Sequence, residues 1–166
     1  RSHDFFLEKY KPEGYLTTGY TMMGTGQHMM TLGKHYQLNQ NDQWMKDAKP
    51  IMAKACEWMI AQIDKNKNLY SNGEKPYDYG LFPPGVYADW DRFAYHSYLE
   101  AFYYGGLKEA TKALHRANDG RADEMIVKTG QFKDDFMRAY KWNQEKYPVL
   151  RQSDGNWEPG SPSMIG

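Results

Sequence analysis

The pattern of hydrophobic and polar positions predicts four long helices of two alternating kinds. The first, at about residues 21–38, and the third, at about residues 93–117, are apolar or small on most faces, which is typical of buried helices. The second, at about residues 42–64, and the fourth, at about residues 121–145, have one apolar stripe and charges on their other faces. The order is therefore buried, amphipathic, buried, amphipathic, as expected for antiparallel helical hairpins in a layered ring or solenoid.

The two amphipathic helices define the predicted core stripes. Proline lacks a backbone N–H and its ring clashes with the preceding turn, so Pro50 is expected to divide the second helix into a short turn and a longer helix. The stripe positions recur at three- and four-residue steps and are Trp44, Ala48, Met52, Ala55, Met59 and Ile63 in the second helix, and Met125, Thr129, Phe132, Phe136 and Tyr140 in the fourth.

Each predicted buried helix follows a loop rich in glycine, proline, aromatic and acidic residues. "KPEGYLTTGY" precedes the first, and "YDYGLFPPGVYADWD" precedes the third. "RQSDGNWEPGSPS" has the same character and is expected to lead into a third inner helix that the chain barely reaches. The lead-ins begin about 70 residues apart, which is long enough for a helix pair plus a loop. Long loops without their own structure are usually functional or disordered, and these are too aromatic to be merely disordered.

Composition narrows the classes of function. The 166 residues fit one helical region, residues 1–166, with 40% hydrophobic and 25% charged residues as in ordinary globular proteins. The formal net charge is zero and no basic block occurs, so neither nucleic acid nor an anionic membrane is an expected partner. No apolar stretch approaches the length of a membrane span. Aromatic residues, at 16%, favour a surface that stacks on flat or ring-shaped ligands.

Cysteine and histidine positions give no sign of a metal or cofactor. The single cysteine, Cys56, excludes an internal disulfide and is expected to be a buried, inert thiol. His28 and His35 are two helical turns apart, too far to share a metal without other ligands. No phosphate-binding glycine loop or zinc spacing is present, so we expect no cofactor. An extracytoplasmic location is favoured, although a lone cysteine does not identify the compartment.

Two stretches resemble segments of the six-hairpin, (α/α)6-toroid glycosidases. They are "LGKHYQLNQNDQWMKDAKPIMAKACEWMI", residues 32–60, and "GLFPPGVYADWD" followed by "YHSYLEAFYYGGLKEA". The resemblance implies an all-α fold of about two hairpins plus the lead-in to a third. It also implies that the chain is part of a larger catalytic domain, with the remainder of the toroid as its partner. The implied activity is hydrolysis of glycosidic bonds in a poly- or oligosaccharide.

In such a toroid the loops before the inner helices form the substrate cleft, and this implies the candidate site residues. Asp89, Glu158 and Asp91 are the candidate catalytic acids, because glycoside hydrolysis generally needs two carboxyl groups across the scissile bond. Asp89 or Asp91 could instead cap the helix that begins near Phe93, and the turn at Asp154 makes that residue a rival to Glu158. Glu100 is in the predicted buried helix and could be a deeply placed acid, although a carboxylate paired with a neighbouring tyrosine or histidine is the commoner arrangement. The candidate sugar-binding residues are Tyr20, Tyr87, Trp90, Tyr95, His96 and Trp157.

Two other functions are compatible with the same residues. A tyrosine and a histidine can abstract and return protons in toroidal polysaccharide lyases, so Tyr95 and His96 keep that chemistry open. Adjacent residues on a helix point in different directions, however, and do not form a site by themselves. A non-catalytic helical-repeat module that binds glycan or peptide would also alternate buried and amphipathic helices.

Overall fold

The structure is a computed structural model and describes residues 6–16, 24–86, 93–147, 149–151, 155–159 and 164–165. Its helices are α1 (Gly24–Asn39), α2 (Asp42–Asp64), α3 (Ser97–Arg116) and α4 (Ala122–Lys146). Its short strands are β1 (Tyr95–His96), β2 (Val149–Arg151), β3 (Trp157–Pro159) and β4 (Met164–Ile165), with β1 antiparallel to β4 and β2 antiparallel to β3. The described part of the chain is mostly helical, which confirms the all-α class.

Short connections make two helical hairpins. Gln40 adopts the left-handed conformation (φ 51°) after α1, and the Asn41 side chain accepts a hydrogen bond from Trp44 N at the start of α2. Asn118, with φ 53°, provides the corresponding turn between α3 and α4. Asparagine tolerates this conformation because its short polar side chain bonds locally. Each pair of helices therefore folds back on itself within a few residues.

The two hairpins meet where α1 packs on α3 through glycine. A Cβ on Gly26 would lie 2.8 Å from the carbonyl carbon of Phe102, and one on Gly33 would enter the peptide group between Glu109 and Ala110. The contact points advance by seven residues on both helices, so α1 and α3 run parallel. Their first turns consequently lie at one end of the bundle, and the two hairpin turns lie at the other.

The predicted stripe of α2 is confirmed, but the break at Pro50 is wrong. Ala48, Met52, Ala55, Met59 and Ile63 are buried, and the helix continues without interruption from Asp42 to Asp64. Because Pro50 has no backbone N–H, one helical hydrogen bond, the one to the carbonyl of Lys46, is missing. Pro50 and Lys46 both face solvent, where water can satisfy that carbonyl.

The stripes of the other helices need correction. On α4 the buried side continues through Asp135, Ala139 and Asn143, whereas Phe136 and Tyr140 are only half-buried. On α1 the expectation of burial on most faces is wrong within the described structure, because Thr31 and Lys34 are exposed and Leu38 is 84% exposed. Glycines make the sequence of α1 less polar, which favours the expectation of burial. Gly26 and Gly33, however, lie on the face of α1 that packs on α3.

Cys56 is fully buried in the core, and burial raises the pKa of its thiol. A thiol reacts as its thiolate, so this one should be inert in the folded protein. We expect no reaction with a disulfide reagent such as Ellman's reagent in native buffer and reaction of one thiol per chain after addition of denaturant. Rapid labelling of the native protein would contradict the described packing around α2.

Candidate functional site

The loop before α3 is fastened to the first turns of that helix. Phe82 N donates a 3.0 Å hydrogen bond to Oε2 of Glu100, and the Asn66 side chain donates to the carbonyl of Leu81 at 3.0 Å. Gly80 N donates to the carbonyl of Asn66 at 3.1 Å. We call this end of the bundle the loop end; it comprises residues 6–16, 65–86 and 164–165 and the first turns of α1 and α3.

Glu100 is a carboxyl group inside the protein at the loop end. It is 1% exposed, and burial raises its pKa to about 8, although the bond from Phe82 N opposes that shift. The side chain is therefore mostly neutral at pH 7. A carboxyl group that keeps its proton at neutral pH is the form in which a general acid must be held.

Tyr95 and Asp78 form a hydrogen-bonded pair beside this acid. The Tyr95 hydroxyl donates to Oδ2 of Asp78 at 2.9 Å. Burial, and then the bond with Asp78, raise the pKa of Tyr95 well above its usual value. The hydroxyl consequently stays protonated and is poorly suited to act as a base.

The start of α3 differs from the prediction of a helix that begins near Phe93. Ala94 bridges Gly85, and Tyr95 and His96 pair with Ile165 and Met164, so the helix begins only at Ser97. His96, which is buried, is the N-cap residue. Asp89 and Asp91, which the sequence offers as alternative caps, lie outside the described residues.

An aromatic surface that the sequence reading missed adjoins Tyr95. Tyr77 stacks on Trp142 with ring centroids 4.8 Å apart and an interplanar angle of 14°, and it meets Tyr95 edge-on at 6.3 Å. Trp142 also contacts Tyr147, which is 45% exposed. Faces of this kind suit ring-shaped ligands. Tyr77 belongs to the aromatic lead-in "YDYGLF", but its partner Trp142 lies on the outer helix α4 and has no local signal in the sequence.

Buried Asp135 holds the lead-in loop against α4. Its Oδ1 accepts a 2.8 Å hydrogen bond from Lys75, and its side chain fills the space where a Cβ on Gly80 would lie. Arg138 donates to the carbonyl of Tyr79 at 3.1 Å. These contacts fix the part of the loop that precedes the two prolines, Pro83 and Pro84.

The first lead-in loop reaches the same end. Leu16 N donates to Oγ1 of Thr25 at 3.0 Å, and the Tyr15 ring packs on Trp58, which also contacts Phe82 of the second loop. A Tyr–His pair occurs here as well: the Tyr10 hydroxyl lies 3.0 Å from Nδ1 of His28, and burial raises the pKa of Tyr10.

The predicted site residues are only partly covered by the described structure. Tyr95 and His96 are in β1. Trp157 and Glu158 are in β3, where they pair with Arg151 and Leu150 of β2. β4 directly follows the third lead-in and pairs with β1, which follows the second, so the segments that come after these two lead-ins meet. The remaining candidates lie outside the described residues: Tyr20, Tyr87, Asp89, Trp90 and Asp91.

Neither a metal-binding cluster nor a membrane-spanning helix occurs among the described residues. Among the described residues, no group of three or more histidine, cysteine, aspartate or glutamate side chains is placed to hold a metal ion. His28 and His35 have different neighbours, since His35 lies 2.6 Å from the Asn39 side chain and packs on Trp44. None of the helices in the described ranges has the length and apolar character needed to span a bilayer.

Comparison of the chain with protein-family models, with curated proteins and with solved structures finds no match.

Proposed function

We propose that this chain is part of a glycoside hydrolase of the six-hairpin (α/α)6-toroid type. The observation that carries the proposal is the gathering of three lead-in segments at one end of two parallel helices. The first segment is tied to α1 through Thr25 and the second to α3 through Glu100, and β4, which directly follows the third, pairs with β1. In a ring built from hairpins of this kind, the loops that precede the inner helices all lie on one face. A polysaccharide can bind across that face.

The chemistry of the loop end supports hydrolysis. Glycosidases require one carboxyl group that keeps its proton and another that is ionised. Burial at this end already holds Glu100 neutral, and Tyr77, Trp142 and Tyr147 provide aromatic faces nearby. In the proposal Asp89 and Glu158 transfer protons, with Asp91 as the alternative to Asp89. Tyr20, Tyr87, Trp90, Tyr95 and Trp157 bind the sugar rings, whereas His96 is fully buried and is no longer a candidate for sugar contact.

Hydrolysis fits better than elimination by a lyase. A lyase of the tyrosine–histidine kind needs a tyrosine that can lose its proton, and Asp78 and burial both keep the proton on Tyr95. Burial does the same at Tyr10, whose hydroxyl lies 3.0 Å from Nδ1 of His28.

Two carboxylate variants of the complete protein test the proposed roles. Asp89→Asn and Glu158→Gln should each lower the turnover of a cleaved polysaccharide by roughly 10²–10⁴-fold, because each removes a proton-transfer group without changing its size. Asp47→Asn is the matched control, since Asp47 is exposed near the start of α2, away from the loop end. Turnover is measured as new reducing ends per unit time. If both variants keep the parental rate, the assignment of catalytic roles is wrong.

A further inference from the structure

The opposite end of the bundle holds an open cavity of about 280 Å³. We call it the hairpin-end cavity; it lies where α1 ends, α2 begins and α3 ends. Its polar lining consists of Tyr36, Asp42, Lys46, Lys49, Arg116 and Asn118. Its volume is at the lower end of the range for small-molecule sites, so a compact ligand is the appropriate size.

Helical spacing gives this cavity its charge. Asp42, Lys46 and Lys49 are four and three residues apart, which places them on one face of α2. Arg116 comes from the last turn of α3. Three cationic side chains thus line the cavity with one carboxylate, leaving a surplus of positive charge.

The carboxylate that lines the cavity, Asp42, already accepts a hydrogen bond from within the protein. Oδ1 of Asp42 accepts a 2.7 Å hydrogen bond from the Tyr36 hydroxyl. Asp119 lies close enough to Lys49 to feel its charge, but the lowered pKa of Asp119 is due first to its hydrogen bond with Arg121. Between described residues, no ion pair within 4.0 Å joins Lys46, Lys49 or Arg116 to a carboxylate.

A second charged cavity on the same helix shows the contrast. It holds about 210 Å³ between α2 and α4, and its cations are matched by acids. Arg121 lies 2.8 Å from Glu57, and Lys128 lies 3.6 Å from Asp64. Charges paired in this way have little left to offer a ligand. In the hairpin-end cavity Arg116 makes one hydrogen bond, from Nη1 to the carbonyl of Gln37 at 3.4 Å, which uses one of its five N–H donors.

We propose that the hairpin-end cavity binds an oxyanion, a phosphate or carboxylate group carried by a compact polar molecule. Arg116 offers a planar guanidinium that can bind two oxygens, and Lys46 and Lys49 add compact charges on the other side. Asn118 can bond to an uncharged part of the ligand. This site is separate from the proposed cleft, because it lies at the end of the helices away from the lead-in loops.

Calorimetric titration of the complete protein tests the proposal with three probes: inorganic phosphate, glucose 6-phosphate and glucuronate. At least one should bind, and Lys46→Gln/Lys49→Gln should raise its Kd about tenfold or more. Added sodium chloride should weaken binding, since exposed charges are screened. The control variant Lys54→Gln/Lys133→Gln removes two exposed lysines outside the cavity and should keep the parental Kd.

The pattern across probes identifies the ligand class. Binding by the two phosphates alone assigns a phosphate site, and binding by glucuronate alone assigns a carboxylate site. Thermal unfolding of both double variants verifies that they are folded. The proposal fails if none of the probes binds at about 10 mM, or if the control variant loses as much affinity as the cavity variant. Failure of the oxyanion-binding test does not affect the glycosidase proposal. The glycosidase test measures cleavage of a polysaccharide, which is proposed for the loop end of the bundle.

Discussion

Replacing Gly33 by alanine should lower the free energy of unfolding by about 2–3 kcal/mol, the upper part of the usual range for overpacking. The new Cβ would enter the Glu109 carbonyl group and lie 2.7 Å from Ala110 N. Both neighbours are backbone atoms of α3, so the clash can be relieved only by moving α1 away from α3. For a chain of this length the midpoint of thermal unfolding should fall by about 5–10 °C.

Gly130→Ala is the matched control for Gly33→Ala. Gly130 is also inside a helix, but it is exposed and nothing lies within 4 Å of its added Cβ. Alanine has the better helix propensity, so this change should stabilise the protein by about 0.5–1 kcal/mol. Urea unfolding followed by circular dichroism measures both. Equal effects of the two substitutions would mean that α1 and α3 do not pack through Gly33.

Glu100→Gln should remove a large pH dependence of stability. In the native protein Glu100 keeps its proton up to about pH 8, whereas the unfolded chain releases it near the ordinary glutamate pKa of 4.5. Between these values the native state binds the extra proton, so the parental free energy of unfolding falls as the pH rises. The loss amounts to about 1.4 kcal/mol per pH unit, or a few kcal/mol across the window. Glutamine remains neutral throughout and can still accept the bond from Phe82 N.

The measurement is urea unfolding of parent and variant from pH 5 to about pH 8. The stability of Glu100→Gln relative to the parent should rise steadily across this window. Glu145→Gln serves as the control because Glu145 is an exposed carboxyl on α4, and its profile should run parallel to that of the parent. A parallel profile for Glu100→Gln would show that Glu100 is not held neutral by burial.

Periodicity predicts the helices well because each stripe is a local property. The bounds of α2 match the prediction, whereas the expected alternation of buried and amphipathic helices fails at α1, which has an exposed face. The continuous path through Pro50 was missed because the cost of a proline depends on whether the carbonyl it leaves unpaired reaches water. That is a property of the packed structure and not of the sequence window.

The candidate site at the loop end depends on contacts between residues that are far apart in the sequence. Such contacts leave weaker patterns in the sequence than helices do. An aspartate on a helix, such as Asp135, is usually exposed to solvent. Asp135 is nevertheless buried, because Lys75, 60 residues earlier in the chain, forms an ion pair with it. The strands at Tyr95–His96 and Met164–Ile165 are too short for an alternating pattern to show. Glu100 was recognisable as a deep acid from its apolar helix, but the donor that meets it, Phe82 N, comes from a loop.

Incubation of the complete protein with a panel of poly- and oligosaccharides is the most direct test of the central claim. New reducing ends should appear with at least one substrate, without ultraviolet absorbance from an unsaturated product, and Asp89→Asn should abolish them. Unsaturated products would assign a lyase. A glycan that binds and is recovered intact would contradict the proposed hydrolase and assign a non-catalytic binding module.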